Sequence, residues 1–232
     1  MKIALLGYGK MGKIIAKMAM QRGHEIVYKS SASMQNGNFN EAEIAIEFST
    51  PQAAVSNIEK CFKAQIPVVS GTTGWLDQKQ VIEETCLKNN GSFIYASNFS
   101  IGVHLFFNLN QYVAKLMKPW NEYQVAIEEI HHTEKKDAPS GTAITLAQEL
   151  LPYTDKNTWG LNLSTPNTVP INARRESDVK GTHEVSYTSE IDTISIKHQA
   201  HSREGFALGA LIAAEFIIDK KGVFNMKDVL GM

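Results

Sequence analysis

The chain opens on a short apolar run, Lys2-Ile3-Ala4-Leu5-Leu6. Met11, Ile14, Ile15, Met18 and Ala19 then recur at helical spacing, and Glu25-Ile26-Val27-Tyr28 forms a second apolar run. An apolar position every three to four residues predicts a helix with one buried face, and a short unbroken run predicts a strand. Gly23 stands where a helix would end in a left-handed cap. The alternation continues. Ile44-Ala45-Ile46-Glu47-Phe48 reads as a strand. Ser49 or Thr50 then caps a helix with Pro51 in its first turn and Ala54, Val55, Ile58 and Phe62 on one face. Ile66-Pro67-Val68-Val69-Ser70 is a further strand, Gln80 to Asn89 a helix, and Ser92-Phe93-Ile94-Tyr95-Ala96 a strand. Strands alternating with helices predict a parallel, doubly wound sheet of the Rossmann type. Ligands on such sheets lie at the carboxyl ends of the strands. Three loops therefore qualify as ligand loops: Gly7 to Gly12, Gly71 to Gly74, and Ser97-Asn98-Phe99.

The pattern changes after Phe99. Val103 to Met117 reads as a helix and Tyr123 to His131 as a strand. Val125, Ile127, Glu129 and His131 share one face of that strand, and His132 points the other way, because strand side chains alternate. A helix follows from Thr142. Residues 152–170 lack periodicity and hold Pro152, Pro166 and Pro170, so they read as a long loop. Glu184-Val185-Ser186-Tyr187 and Thr193 to His198 read as antiparallel strands. Phe206 to Ile218 is an apolar helix, with Lys220 and Lys221 suited to its C-terminus and Gly222 as its stop. The expected fold is α/β: a dinucleotide-binding domain from residues 1–99 plus 203–232, with an inserted α+β substrate and oligomerisation domain over residues 100–202.

Composition narrows the function. The chain has 232 residues with a net charge of -1, which argues against nucleic-acid binding through a basic face. No apolar run approaches the ~20 residues that span a bilayer. The chain begins on a core strand, so no signal peptide is expected and the reducing cytoplasm is the expected compartment. Cys61 and Cys86 fall in helices without metal-ligand spacing, and no metal site is expected.

Two segments carry chemistry. Gly7-Tyr8-Gly9-Lys10-Met11-Gly12 fits G-x-G-x-x-G, placed after a strand and before a helix. Gly7 permits the tight turn, Gly9 lets backbone approach a pyrophosphate, and Gly12 lets the helix pack on the strand. The second segment runs from His131 to Thr142. It sets His131, His132, Lys135 and Lys136 within six residues, before a Pro-Ser-Gly turn and a helix start whose first N–H groups are free to hold an anion. Such a segment suits an anionic substrate that must be protonated. The competing reading is a solvated basic loop. Lys136 reads as a solvated neighbour, and Asp137 as a turn or cap residue.

Together these motifs resemble the 4-hydroxy-tetrahydrodipicolinate (dihydrodipicolinate) reductase family over nearly the whole length. The resemblance rests on the glycine loop, Glu47-Phe48-Ser49, Gly71-Thr72-Thr73-Gly74 and Ser97 to Val103. It also rests on the run from Glu129 through His131-His132 and Lys135 to Asp137-Ala138-Pro139-Ser140-Gly141-Thr142, and on Ser202-Arg203 with Phe206-Ala207. It implies a homotetrameric NADH- or NADPH-dependent reductase of lysine and diaminopimelate biosynthesis, acting on a cyclic dicarboxylate. By the resemblance, His131 and Lys135 are the proton-handling residues, and His132, Gly141 and Thr142 bind substrate. The cofactor is contacted by Gly7 to Gly12, by Gly71, Thr72 and Thr73, and by Ala96, Ser97, Asn98 and Phe99. From the residues themselves, Lys135 either protonates the substrate or holds its carboxylate by charge.

The chain departs from the family pattern in two places. One is Phe206-Ala207-Leu208-Gly209, where an asparagine often stands in place of the leucine and for which there is no functional account. At the other, where many relatives carry an acid for the adenosine ribose, this chain has Tyr28-Lys29-Ser30-Ser31. Lys29 and Ser30 would then suit the 2′-phosphate of NADPH. Alternatively the acid comes from elsewhere, with Glu47 as the example, or main-chain groups hold the ribose. Two other functions compete: another two-domain nicotinamide oxidoreductase, and a dinucleotide sensor without chemistry. An acylating semialdehyde enzyme would need a nucleophilic cysteine, and Cys61 and Cys86 are poorly placed for that.

Overall fold

The central strand β1 (Lys2–Leu6) shows how the first unit is built. Ile3, Ala4, Leu5 and Leu6 are all fully buried, yet they serve two different cores. Side chains two apart share a face. Ile3 and Leu5 join Ile15, Ala19, Ala210 and Leu211 in one cluster, while Ala4 and Leu6 join Ala54, Ile58, Phe62 and Ile82 in the other. Helices therefore cover both faces of the sheet. Each large aliphatic side chain buried this way contributes about 1.5–3 kcal/mol.

The computed structural model describes all of residues 1–232. From the N-terminus, β1 leads to α1 (Lys10–Gln21), β2 (Glu25–Ser31), β3 (Met34–Gly37), β4 (Ile44–Glu47), α2 (Pro51–Lys63), β5 (Val68–Ser70), α3 (Lys79–Lys88) and β6 (Ser92–Tyr95). Next come α4 (Ile101–Met117), β7 (Gln124–His131), α5 (Gly141–Leu150), β8 (Thr158–Leu161), β9 (Thr168–Arg175), β10 (Thr182–Thr188) and β11 (Thr193–Gln199). The chain ends with α6 (Glu204–Ile217), β12 (Gly222–Phe224) and α7 (Met226–Leu230). Two units emerge: residues 1–101 with 203–232, and residues 102–202.

The first unit carries a seven-stranded sheet in the order β12-β6-β5-β4-β1-β2-β3. All its pairs are parallel except β2 with β3, a hairpin the hydrophobic pattern did not suggest. Gly23 takes the left-handed φ of +79° after α1, as its spacing predicted. Gly222 does not stop the closing helix. α6 ends at Ile217, and Gly222, with φ +125°, opens β12. Lys220 does serve the helix end, since its Nζ donates to the Phe216 carbonyl at 2.8 Å.

The second unit carries the sheet β11-β10-β7-β9-β8. It is mixed rather than purely antiparallel, because β7–β9 and β8–β9 run parallel. The stretch 152–170 is not one long loop: it contains a 3-10 turn at Leu151–Tyr153, all of β8 and the start of β9. Pro170 sits in β9 where only β8 pairs with it, since pairing with β7 begins at Ile171. The core of this unit gathers Val125, Ile127, Val185 and Tyr187 from the sheet with Ala143, Leu146, Ala147 and Leu150 of α5.

Candidate functional site

The first half-site lies at the carboxyl ends of β1, β4 and β5. Gly7 has φ +107°, and a Cβ there would lie 2.0 Å from the Phe48 carbonyl oxygen. A Cβ on Gly12 would lie 2.0 Å from the Gly7 carbonyl oxygen, whereas one on Gly9 would meet nothing within 4 Å. The outer two glycines thus close the turn, and the middle one leaves its surface open. Gly9 is also the N-cap of α1 and makes no side-chain capping bond, and no acid occupies the first turn. Its first N–H groups, with Lys10 and Met11, present a positive helix end to an anion. A cleft of about 330 Å³ lies there, lined by Gly9, Lys10, Met11, Phe48, Ser49 and Thr73 among others. An open cradle ending on an uncapped helix fits a dinucleotide pyrophosphate.

Other predicted cofactor residues divide into lining and scaffold. Thr73 and Ser97 are exposed, and Ala96 is half-buried. Gly71 is required by packing, because a Cβ there would lie 2.2 Å from the Phe48 ring. Thr72 is turned inward: its hydroxyl donates to Glu47 at 2.9 Å and its carbonyl accepts from Trp75 Nε1 at 2.6 Å. Phe99 is 1% exposed and packs on Phe48 with ring centroids 5.7 Å apart, so its side chain supports the loop from below. The Asn98 side chain accepts from the Ser100 N–H at 2.8 Å and shapes the same turn. Lys29 rests its ammonium 4.9 Å from the Tyr8 ring centroid, and the Ser30 carbonyl accepts from Gly7 N–H at 3.0 Å. Both residues therefore flank the glycine loop.

Glu47 is not a ribose-binding acid. It is fully buried as the last residue of β4. Its carboxylate accepts from Ser49 N–H at 3.1 Å, Ser70 Oγ at 2.7 Å, Thr72 Oγ1 at 2.9 Å, and also from Ser49 Oγ. It ties the loop after β4 to the loop after β5. The Ser49 hydroxyl is thereby spent on Glu47, and Thr50 caps α2 without a side-chain bond.

The second half-site grows out of β7. Its inward row runs Val125, Ile127, Glu129, His131, and all four are buried. The row is apolar core at one end and ionisable at the other. Glu129, 0% exposed, accepts from the Ser140 N–H at 2.9 Å and from both terminal nitrogens of Arg175 at 3.3 Å. His131 Nδ1 lies 3.7 Å and His183 Nε2 3.8 Å from its Oε2. Ser140 caps α5 by accepting from the Ala143 N–H at 3.2 Å, and its hydroxyl lies 3.1 Å from His183 Nε2. The helix therefore begins at Gly141, one residue before the apolar run suggested. The N–H groups of Gly141 and Thr142 have no acceptor within the helix, and a Cβ on Gly141 would meet nothing within 4 Å.

Burial disfavours the charged form of both imidazoles. His183 is pushed down to about 3 by burial, reinforced by the charges of His131, His198 and Lys135. His131 is lowered chiefly by burial. Glu129 opposes that shift, while Lys135 and Arg175 add to it. Lys135 is held by Asp137, whose two carboxylate oxygens lie 2.8 and 2.6 Å from its Nζ. Asp137 is thus an ion-pair partner rather than only a turn residue, and Lys135 keeps its carboxyl below the usual range. Lys136 is exposed, as expected. His132 is half-buried just past the end of β7, with a buried Nδ1 that has no hydrogen-bond partner.

Glu129, His131 and His183 offer ligand atoms within 4.8 Å of one another. Arg175 already supplies Glu129 with the positive charge that a bound cation would bring. The two cysteines are buried and free, and burial raises both thiols, Cys86 to about 11. Neither is a nucleophile at neutral pH.

Several residues of these sites carry no motif of their own. Glu129 was visible on the His131 face. His183 pairs with Glu129 across β10–β7, and Arg175 pairs with His131 across β9–β7. No local sequence signal marks either partner.

Comparison with known proteins is consistent across the chain. The family profile described as dihydrodipicolinate reductase, N-terminus, matches residues 1–99, and that described as dihydrodipicolinate reductase, C-terminus, matches residues 102–230. A 4-hydroxy-tetrahydrodipicolinate reductase of Christiangramia forsetii is 54% identical over 99% of this chain and 98% of its own. One from Methanoregula boonei is 29% identical over 100% of this chain and 98% of its own. Among solved structures, a dipicolinate-bound dihydrodipicolinate reductase from Paenisporosarcina sp. TG-14 superposes with a TM-score of 0.75 at 21% identity, covering 97% of each chain.

Proposed function

The chain belongs to the dihydrodipicolinate reductase family, and on that premise we propose which residues carry its reaction. It is an NAD(P)H-dependent oxidoreductase that converts 4-hydroxy-tetrahydrodipicolinate to tetrahydrodipicolinate in lysine biosynthesis. Reduction with loss of the hydroxyl consumes a hydride and a proton and releases water. The first unit holds the cofactor through the uncapped start of α1 and the loops stapled by Glu47, with Gly7 to Gly12, Thr73, Ala96 and Ser97 nearest to it. When bound, the nicotinamide supplies the hydride. Membership sets aside a different oxidoreductase or a sensor without chemistry.

The second unit binds the dicarboxylate and supplies the proton. The observation that carries this reading is the grouping of His131, the Lys135 loop and the open start of α5 at one end of one sheet. Gly141 and Thr142 donate N–H groups, and Thr142 a hydroxyl, to one carboxylate. His132 borders the same segment. Lys135 is the proton source. His131, whose charged form burial disfavours, hydrogen-bonds at the reacting centre. An incoming substrate carboxylate competes with Asp137 for Lys135.

Lys135→Ala should lower turnover by roughly two to four orders of magnitude, the range for a positioned acid, with little change in cofactor affinity. Turnover near the parental rate would remove Lys135 from the mechanism.

The second unit also shows a surface suited to self-association. On α4, Leu105, Leu109, Tyr112 and Leu116 are spaced as one helical stripe and are 46–62% exposed. β11 lies at the edge of its sheet with Ile194 exposed. Contiguous apolar surface of this kind is usual at subunit interfaces. The reading is a homotetramer assembled through this unit. Light scattering should give four chains per particle for the parent and fewer for Tyr112→Glu. Two free buried thiols suit a cytoplasmic enzyme, and no helix is long and apolar enough to cross a membrane.

A further inference from the structure

We infer that the buried Glu129–Arg175 ion pair is the positioning device of the proton-handling half-site, setting His131, the Lys135 loop and the start of α5 relative to one another. The inference rests on the reading that His131 and Lys135 act on the substrate, and it extends that reading to the two residues that hold their surroundings together.

Glu129 has no access to water. A carboxylate in such a place is retained only when charge and hydrogen bonds compensate it. Its partners come from its own strand and from three other elements. On one side, Oε2 takes the Ser140 N–H, which fixes the N-cap of α5, and faces His131 Nδ1 and His183 Nε2. On the other side, Oε1 takes the two terminal nitrogens of Arg175. Arg175 continues outward: its Nε donates to the Lys135 carbonyl at 3.3 Å and a terminal nitrogen to the Asp137 carbonyl at 2.5 Å. The backbone carrying Lys135 is thus tied through one guanidinium to the carboxylate that faces His131. Register makes this possible, since His183 lies opposite Glu129 and Arg175 opposite His131 on the two strands flanking β7. The ionisable groups facing Glu129 and His131 are Lys135, Asp137, Arg175 and His183, with His198 next to His183.

Removing both charges together distinguishes a structural ion pair from a positioning device. Three variants separate them: Glu129→Gln, Arg175→Met and the double variant. Cofactor binding by the first unit serves as the check that each chain is folded. Two readouts are taken: steady-state turnover, and the pH titration of the His131 ring by NMR without substrate. Glu129→Gln should lower kcat by up to about 10²-fold, the cost of displacing reacting groups by about 1 Å. The titration midpoint of His131 should move to lower pH, because the carboxylate that favours its charged form is gone. The double variant restores charge balance and should stay slow. Recovery of parental turnover in the double variant, or an unmoved His131 titration with full activity in Glu129→Gln, would overturn the inference. If Glu129→Gln does not fold, Glu129→Asp decides. It keeps the charge but withdraws it by one methylene, so a fall in kcat supports positioning and parental kcat contradicts it. The titration needs no turnover, so it fails or succeeds independently of whether His131 is catalytic.

Discussion

Glu47 and Glu129 are both fully buried glutamates at the carboxyl end of a strand, and both staple loops that form a half-site. Their partners differ. Glu47 is met by three hydroxyls and one backbone N–H, all neutral. Glu129 is met by a guanidinium, a backbone N–H and two imidazoles. Neutral donors fix the shape of a loop and leave its electrostatics to the ligand. Ionisable partners couple the carboxylate to protonation. The division fits the proposed roles, in which the first unit holds a cofactor that brings its own reactivity and the second moves a proton.

The largest effect expected from this contrast is structural. Glu47→Ala leaves the buried hydroxyls of Ser70 and Thr72 without their acceptor, and each buried unpaired group costs about 1–3 kcal/mol. Allowing for water entering the gap, urea unfolding should show a loss of roughly 3 kcal/mol. The His131 titration should be unchanged. A loss below about 1 kcal/mol would mean that the loops after β4 and β5 hold themselves.

The next effect belongs to the second unit alone. The folded pKa of His183 is depressed to about 3, so below the unfolded value near 6.5 the unfolded chain binds a proton that the folded chain refuses. Stability from this group is complete above pH 6.5 and is lost as pH falls toward 3, at up to about 1.4 kcal/mol per pH unit. That amounts to about 2 kcal/mol between pH 6.5 and pH 5. His131 is depressed as well and adds in the same direction. Urea midpoints at pH 7, 6 and 5 check this. A His183→Gln chain should lose less stability over the range, and an equal loss would place the acid sensitivity elsewhere.

The smallest effect concerns cofactor choice. Lys29 lies against Tyr8 beside the glycine loop, with no carboxylate replacing it, so NADPH should be used at least as well as NADH. Lys29→Glu should shift the ratio of the two kcat/KM values about tenfold toward NADH, or about 1.4 kcal/mol. A tenfold preference for NADH in the parent would rule out the phosphate reading.

Local pattern was enough for the frame of both half-sites. Helical spacing after Gly12 placed the open cradle, and alternation along β7 put Glu129 and His131 on one buried face. What alternation could not reveal was the company Glu129 keeps. Arg175 arrives 46 residues later through β9, a strand hidden by Pro170 and by a region without periodicity. Pro170 is tolerated because only β8 pairs with that part of β9. His183 sat one residue before the run that read as a strand. Thr72 and Phe99 differ in the opposite way. Each stands in a loop that the sequence assigns to the cofactor, and burial turns its side chain toward the scaffold. Whether a loop residue faces the ligand or the core depends on packing that spacing does not encode.

Two buried glutamates serve separate half-sites, one by shape and one by charge. Calorimetric titration of NADPH into the parent, Glu47→Gln and Glu129→Gln tests that division most directly. Cofactor affinity should be about tenfold weaker in Glu47→Gln and within twofold of the parent in Glu129→Gln. Equal weakening in both variants, or weakening in Glu129→Gln alone, would contradict it.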